Sequence, residues 1–542
     1  MSEKFKIKID SILGGISPSI YKGRKDQFAT SIGIDPDLPI EPDSASIRKT
    51  GGVLTPTSYV DFSGAALTSY VNWLMTCPQN GNLYAYLANG RFLSYDTSFV
   101  ETNITGSPLT GGAGNGGAYY NNYIYLAEDG DVSRYGPLDN SPVIVENVWT
   151  GATLGSKAAL GNPTFPSAQG ISYPNHPMHV HVDNKLYVGD FETAANANQG
   201  RGKVHFIKTE RGTDEGDTNS GTTENAFYLP YSYVPIDIES WGNDLAVLAV
   251  PMHATGANAT TVQGKAVLFL WDAINAPSLP YRVIPLIDPF ASALLNHNGN
   301  LYIWSGNLNN GVRMSRYLGG YQTQQVVFFE EGYCPPAGCV DGMGNRVVWG
   351  AHTTYPENSS CVYAFGYKDA NIPPALQNIM LTTHTTAAEG GSSRAVSALK
   401  YFQHASFAVP RLGVAWKDGA AVSENFGIDR YSANSAEVAV WRTITYSSGK
   451  PFSIKKVTFT LGETVSANTT IRVRIYVDDE NSNTTIATIN NTDFSGNRKI
   501  TLTPQVQGNV NFFLEFRWSG SNSISVTLPI IIEGELLEDT TI

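Results

Sequence analysis

Three histidines crowd the stretch His176-Pro177-Met178-His179-Val180-His181. On an extended strand His179 and His181 project from one face, where two imidazoles could hold a cation, and Asp183 continues that face. No cysteine or other carboxylate adjoins them, so a structural or surface role is the simpler expectation. Cys334-Pro335-Pro336-Ala337-Gly338-Cys339 has a spacing that some zinc sites use, but no second Cys or His pair matches it. With Cys77 and Cys361 these make four cysteines, too few for a disulfide framework and better read as structural or free thiols. The carboxylate groups Glu330-Glu331, Asp129 with Asp131, and Asp478-Asp479-Glu480 have the chemistry of a glycosidase pair or a Ca²⁺ site. Acids at a hairpin tip are ordinarily just solvated. The chain contains no phosphate-binding loop, no Gly-x-Gly-x-x-Gly after a strand, no Gly-x-Ser-x-Gly elbow and no His-Glu-x-x-His. The expectation is therefore no catalytic residue, no cofactor and no resident metal.

What must position these residues is almost entirely β. Helical periodicity is nearly absent, while short alternating runs broken by Gly, Asn-Gly and Asp-Gly recur. Asn82-Leu83-Tyr84-Ala85-Tyr86-Leu87 leads through Asn89-Gly90 to Phe92-Leu93-Ser94-Tyr95. Asn122-Tyr123-Ile124-Tyr125-Leu126-Ala127 leads through Asp129-Gly130 to Val132-Ser133-Arg134-Tyr135 in the same register. Such dipeptides suit a two-residue type I′ hairpin, which needs positive φ twice. The Asn-led opening returns at Asn184, Asn243, Asn300 and Asn345, at intervals of 40, 62, 59, 57 and 45 residues. Those spacings bracket the ~40–50 residues of propeller blades once loops are inserted. A seventh unit would be completed by Leu412–Trp416 and Ile428–Tyr431. The fold class is thus all-β: a six- or seven-bladed β-propeller over 61–435, an N-terminal extended arm over 1–60, and a C-terminal antiparallel β-sandwich over 436–542.

The sandwich follows from clean period-two alternation. Ile471, Val473, Ile475 and Val477 share one face, as do Phe512, Leu514, Phe516 and Trp518, while Arg474, Tyr476, Phe513 and Glu515 take the opposite one. The arm is rich in Gly, Pro and Ser, and ordering it costs entropy unless it lies against a partner or closes the ring of blades.

Hydrophobic residues make up 42% and charged residues 15% of the 542, with a formal net charge of −12. The 36 Lys and Arg form no basic stripe, which argues against a sequence-independent nucleic-acid binder. An acidic wall lining a DNA channel is a different matter, since repulsion lets the polymer slide without sticking. Residues 436–542 hold 9 basic and 11 acidic groups, a net −2, so −10 lies upstream in the propeller and arm. No apolar run reaches the ~18 residues of a spanning helix and the N-terminus carries no apolar signal segment, so no membrane span and synthesis in the cytoplasm are expected.

Three short stretches have a family character. Ser11-Ile12-Leu13-Gly14-Gly15-Ile16-Ser17-Pro18-Ser19-Ile20-Tyr21, Gln27-Phe28-Ala29-Thr30-Ser31-Ile32-Gly33-Ile34-Asp35-Pro36 and Ile47-Arg48-Lys49-Thr50-Gly51-Gly52 resemble the start of propeller-bearing virion proteins of tailed phages, including short-tail nozzle proteins. Ser447-Ser448-Gly449-Lys450-Pro451-Phe452 is similar to the way such proteins enter their terminal sandwich. The resemblance covers the layout of the whole chain through short motifs, departs from a strict blade consensus, and brings no catalytic residue with it. It implies a structural part of the virion tail, assembled in the host cytoplasm as a homo-oligomeric ring with other tail proteins around the DNA exit channel. Arm and sandwich would then contact neighbouring subunits. Two other classes stay open from the residues alone. A tail-tip protein for host-surface glycans would use some of the 28 Tyr and 9 Trp as stacking platforms, and a propeller glycan hydrolase would converge carboxylates from several blades.

Overall fold

The computed structural model describes residues 3–12, 14–17, 24–32, 34–35, 53–61, 67–96, 100–110, 116–128, 130–146, 148, 176–192, 201–207, 222–251, 264–273, 280–307, 311–329, 332, 334–353, 359–366, 375–381, 395–403, 410–418, 425–433, 438–465, 467–468, 470–479, 481–519 and 524–537. Among them strands dominate, and a single α-helical turn, Asn491–Phe494, starts at Asn490, whose side chain accepts from Thr492 N and Asp493 N. No helix among the described residues is long and apolar enough to cross a membrane.

Six four-stranded antiparallel sheets follow one another along the chain, over 71–103, 116–145, 178–231, 233–285, 291–329 and 340–381. A seventh begins with Ala395–Phe402, Arg411–Asp418 and Asn425–Ala433, and its fourth strand is Val53–Asp61 from the other end of the chain. The Asn-led repeat of the sequence has a simple structural meaning. Leu83–Leu87, Tyr123–Ala127, Leu186–Glu192, Asp244–Pro251, Asn300–Asn307 and Arg346–Thr353 are each the second strand of their sheet. These strands are flanked on both sides and packed above and below, which is why they read as continuous apolar runs: Leu83–Leu87 and Tyr123–Ala127 are buried throughout.

Seven apolar clusters lie between successive sheets, from Tyr86, Phe92 and Ile124 at the first junction to Leu74, Phe402 and Ile428 where the seventh sheet meets the first. Burying each such side chain contributes about 1.5–3 kcal/mol. Polar bonds repeat the closure. Tyr86 donates to Ala127 O at 3.3 Å, Tyr120 to Asn184 O at 2.7 Å, and Leu67 N, beside the first sheet, to Phe426 O at 3.4 Å. Between the fifth and sixth sheets the fit leaves no room for a Cβ on Gly342, which would collide with the His297 ring. A ring of sheets closed in this way is a β-propeller, with no long sheet edge left to protect.

The turns differ in one respect from the expected hairpins. Gly90 has φ 81°, but Asn89 is not left-handed and Gly90 N bonds Leu87 O at 2.9 Å. The loop is therefore the longer type I turn with a glycine bulge. The two-residue form with positive φ twice occurs at Asn121-Asn122 and Asn298-Gly299, joining first and second strands.

The segment 1–60, expected as an extended arm, supplies strands that join the seventh sheet and the two sheets of the C-terminal region. Lys4–Ile9 pairs with Val526–Leu536, with Ile9 opposite Ile530. Gln27–Ile32 pairs with Val438–Thr443, and Val53–Asp61 bridges the seventh sheet to Val526 and Thr527. The C-terminal region holds two sheets, one through Phe452–Leu461 and Val526–Leu536, the other through Asn511–Ser519 and Thr470–Val477. Val457, Phe459, Ile471, Val473, Leu514 and Phe516 from both sheets form one core. The opposite face of Asn511–Ser519 is covered too. Glu515 is fully buried against Arg442 Nε at 2.5 Å, Arg474 Nη1 at 3.4 Å and the Tyr476 hydroxyl at 3.2 Å, and Tyr476 stacks on Phe513 at 4.4 Å.

Candidate functional site

The histidine stretch falls at the junction of the third and fourth sheets. Met178–Val180 is the short first strand of the third sheet, and alternation does place His179 and His181 toward the same neighbour. Both meet one hydroxyl: His179 Nε2 lies 2.7 Å and His181 Nδ1 2.8 Å from Ser240 Oγ, on the strand Tyr233–Trp241 of the fourth sheet. The partners dictate the protons. His181 Nε2 faces the Asn243 carbonyl at 3.1 Å and must carry hydrogen, so Nδ1 accepts from the Ser240 hydroxyl. With its hydrogen used, Ser240 Oγ accepts from His179 Nε2, which also lies 3.3 Å from Glu239 Oε1. In this tautomer neither ring nitrogen of His181 offers a metal a lone pair; its Nδ1 lone pair already takes the serine hydrogen. Asp183 turns away and closes its own hairpin, accepting from the Tyr187 hydroxyl at 2.8 Å and Lys185 N at 3.2 Å. Among the described residues no group of three or more His, Cys, Asp or Glu could hold a metal ion.

Burial pushes the His181 pKa below its ordinary value of 6.5, outweighing the upward pull of Asp183 and the Asn243 carbonyl. A base with a depressed folded pKa binds protons more readily when unfolded, so its contribution is intact above 6.5 and lost as pH falls from there toward the folded value. Urea midpoints measured at pH 7.5 and pH 5 should therefore fall less in His181→Gln than in the parent chain; equal falls would show that this junction does not titrate.

Sequence reasoning missed a second, deeper cluster in the third sheet. Asp190 is fully buried, 2.9 Å from His205 Nε2 and 3.8 Å from Lys203 Nζ. His176 stacks on Phe191 at 5.7 Å with its Nδ1 3.1 Å from Gly189 O. The available signal was a carboxylate interrupting the apolar run Leu186–Phe191. Carboxylates also staple later junctions. Asp237 accepts from Leu294 N of the fifth sheet at 2.6 Å, and Asp341 of the sixth from Tyr401 N of the seventh at 2.7 Å. Complete burial holds the Asp237 pKa well above the usual carboxylate range despite its two backbone donors.

The acidic hairpins resolve into turn chemistry. Asp478 accepts from the backbone N–H groups of Asn509, Val510 and Asn511 at 2.7–2.9 Å. Partial burial pushes its pKa up, but these donors pull harder and leave it below the ordinary value. Asp479 accepts from Asn481 N, and Asp131 from Val132 N. Glu330, Glu331, Asp129 and Glu480 lie outside the described residues. Cys77, Cys334 and Cys339 are buried thiols outside any disulfide, and the Cys334 thiol donates to Gly306 O at 3.3 Å. Burial raises both later thiols, Cys339 to about 12, far from the thiolate that a nucleophile or zinc ligand requires.

No family model matches the chain, and no curated protein matches it. Among solved structures it is similar to the exo-β-1,3-galactanase of Phanerochaete chrysosporium, with 10% identity over 67% of this chain and 96% of that one and a TM-score of 0.28. It is also similar to Chaetomium thermophilum Raptor, with 10% identity over 68% and 28% and a TM-score of 0.42. The β-propeller domain of Cps50 (Swd1) from Myceliophteria thermophila has 11% identity over 70% and 100%, with a TM-score of 0.38. Likeness at these levels carries nothing about activity.

Proposed function

We propose that this chain is a non-enzymatic structural component of a tailed-bacteriophage tail, a nozzle-like ring lining or closing the DNA exit channel. In this reading the closed ring of sheets is a seven-bladed propeller and the C-terminal pair of sheets a β-sandwich. The observation that carries it is the ten-stranded sheet that runs from the seventh blade through Val53–Asp61 into Val526–Leu536 and Phe452–Leu461. Domains joined by a linker move by default, whereas units sharing a hydrogen-bonded strand behave as one rigid part, which suits an element of a particle under load. The net charge of −12, of which −10 lies in residues 1–435, suits a wall past which DNA slides. The buried histidines and carboxylates of the propeller support a structural role, because they tie sheet to sheet or strand to strand.

Partners in this reading are copies of the same chain and other tail proteins. Light scattering of the purified protein should give the mass of a closed oligomer, and antibody labelling of whole particles should mark the tail. A stable monomer, absent from particles and turning over a polysaccharide, would remove the proposal.

A further inference from the structure

Between the fourth and fifth sheets the fold leaves aromatic side chains in solvent. Trp241 meets Tyr317 edge to face with ring centroids 4.8 Å apart, and Tyr317 is buried. Its hydroxyl donates to Gly320 O at 2.9 Å and accepts from Arg282 Nη1 at 3.1 Å. The Arg282 guanidinium also faces two further rings, 5.3 Å from the centroid of Tyr281 and 5.9 Å from that of Tyr321. Tyr281 is 49% exposed and Tyr321 72%. The Tyr281 hydroxyl donates to Asp244 at 2.5 Å, which fixes that ring.

Arg282 has five N–H donors, and no carboxylate stands within ion-pair distance of it among the described residues. In a chain with 48 acidic residues, a guanidinium facing rings without an acidic partner is pre-organised for an anion from outside. Asp244, bonded to the hydroxyl of the Tyr281 ring that Arg282 faces, narrows the choice. A phosphodiester backbone would meet repulsion there, whereas a ligand with one carboxylate and several hydroxyl donors satisfies both groups. We propose that this surface patch binds an acidic saccharide, its carboxylate paired with Arg282, a hydroxyl donating to Asp244 and a pyranose face stacked on Tyr321. The site goes beyond the tail reading and stands whether or not the chain is part of a particle.

The test is calorimetric titration of the full chain with a panel of uronic- and sialic-acid-terminated oligosaccharides, with cellotetraose and single-stranded oligo-dT alongside. At least one acidic oligosaccharide should bind more tightly than cellotetraose. Arg282→Ala and Tyr321→Ala should each weaken it by about tenfold or more, and Arg282→Lys should recover part of the loss. Both side chains are at the surface, and an unchanged circular dichroism spectrum shows that the variants fold. The proposal is overturned if no acidic oligosaccharide binds at millimolar concentration or if the alanine variants bind unchanged. It is equally overturned if oligo-dT binds more tightly through the same residues, or if those variants instead abolish self-association, which would make the patch a subunit contact.

Discussion

A chain that begins at residue 67 is expected to lose cooperative folding altogether. Truncation removes Val53–Asp61, so the edge of Asn425–Ala433 from Ala433 to Asp429 loses its partners and the seventh sheet no longer reaches the C-terminal sheets. It also removes Ile9, Ile12 and Phe28 from the C-terminal core, where Phe28 lies 6.4 Å from Trp441, and Phe5, which packs between Phe452 and Phe512. The shortened chain then exposes apolar surface and three unpaired strand edges, those of Asn425–Ala433, Val438–Thr443 and Val526–Leu536, the conditions for aggregation. Size-exclusion chromatography and a denaturant melt decide the matter. A circular permutant separates covalent position from strand content. Leu536 N bonds Glu3 O at 2.7 Å, so residues 537 and 3 can be joined by a short linker and the chain opened between 61 and 67. The permutant should fold with near-parental stability. A soluble, cooperatively unfolding truncation would show that the ring closes without its N-terminal strand.

Replacing Glu515 by alanine should destabilise the chain by about 3–5 kcal/mol, because it removes the buried carboxylate that Arg442, Arg474 and Tyr476 all bond. Arg442 and Arg474 are each 18% exposed and Glu515 is not exposed at all, so water compensates the loss only in part. Glu515→Gln should cost less, since the amide oxygen still accepts one of the bonds from Arg442 or Tyr476. Exchanging Glu515, Arg442 and Arg474 together for Leu, Met and Met should recover much of the loss, as apolar isosteres of buried ion clusters commonly do. Equilibrium urea unfolding of the four proteins measures each term. A Glu515→Ala chain within 1 kcal/mol of the parent would mean that the cluster is hydrated or rearranged.

The cost arises on the face of Asn511–Ser519 that alternation assigns to the outside. Period two places Phe512, Leu514, Phe516 and Trp518 in the core, and that face is buried. The same pattern is silent about what covers Phe513 and Glu515, because the covering residues come from Val438–Thr443 and Thr470–Val477, neighbours only by pairing. The histidines behave alike. Alternation puts His179 and His181 on one face, while the identity of the group they meet, Ser240, depends on which strand lies alongside.

Taken alone, the sequence determined the β character, one strand in each of six sheets through the Asn-led repeat, and the alternation of the C-terminal strands, because turns and burial periodicity are written within ten or so neighbouring residues. Only the tertiary structure decided that Val53–Asp61 completes a sheet begun at Ala395 and that the arm is woven into the C-terminal sheets. It also decided that Asp237, Asp341 and His181 serve as staples between sheets and that Arg282 faces two exposed tyrosines. The reason is common to all of these: a backbone edge or a polar side chain specifies that it needs a partner, and the partner is chosen by chain segments tens to hundreds of residues away.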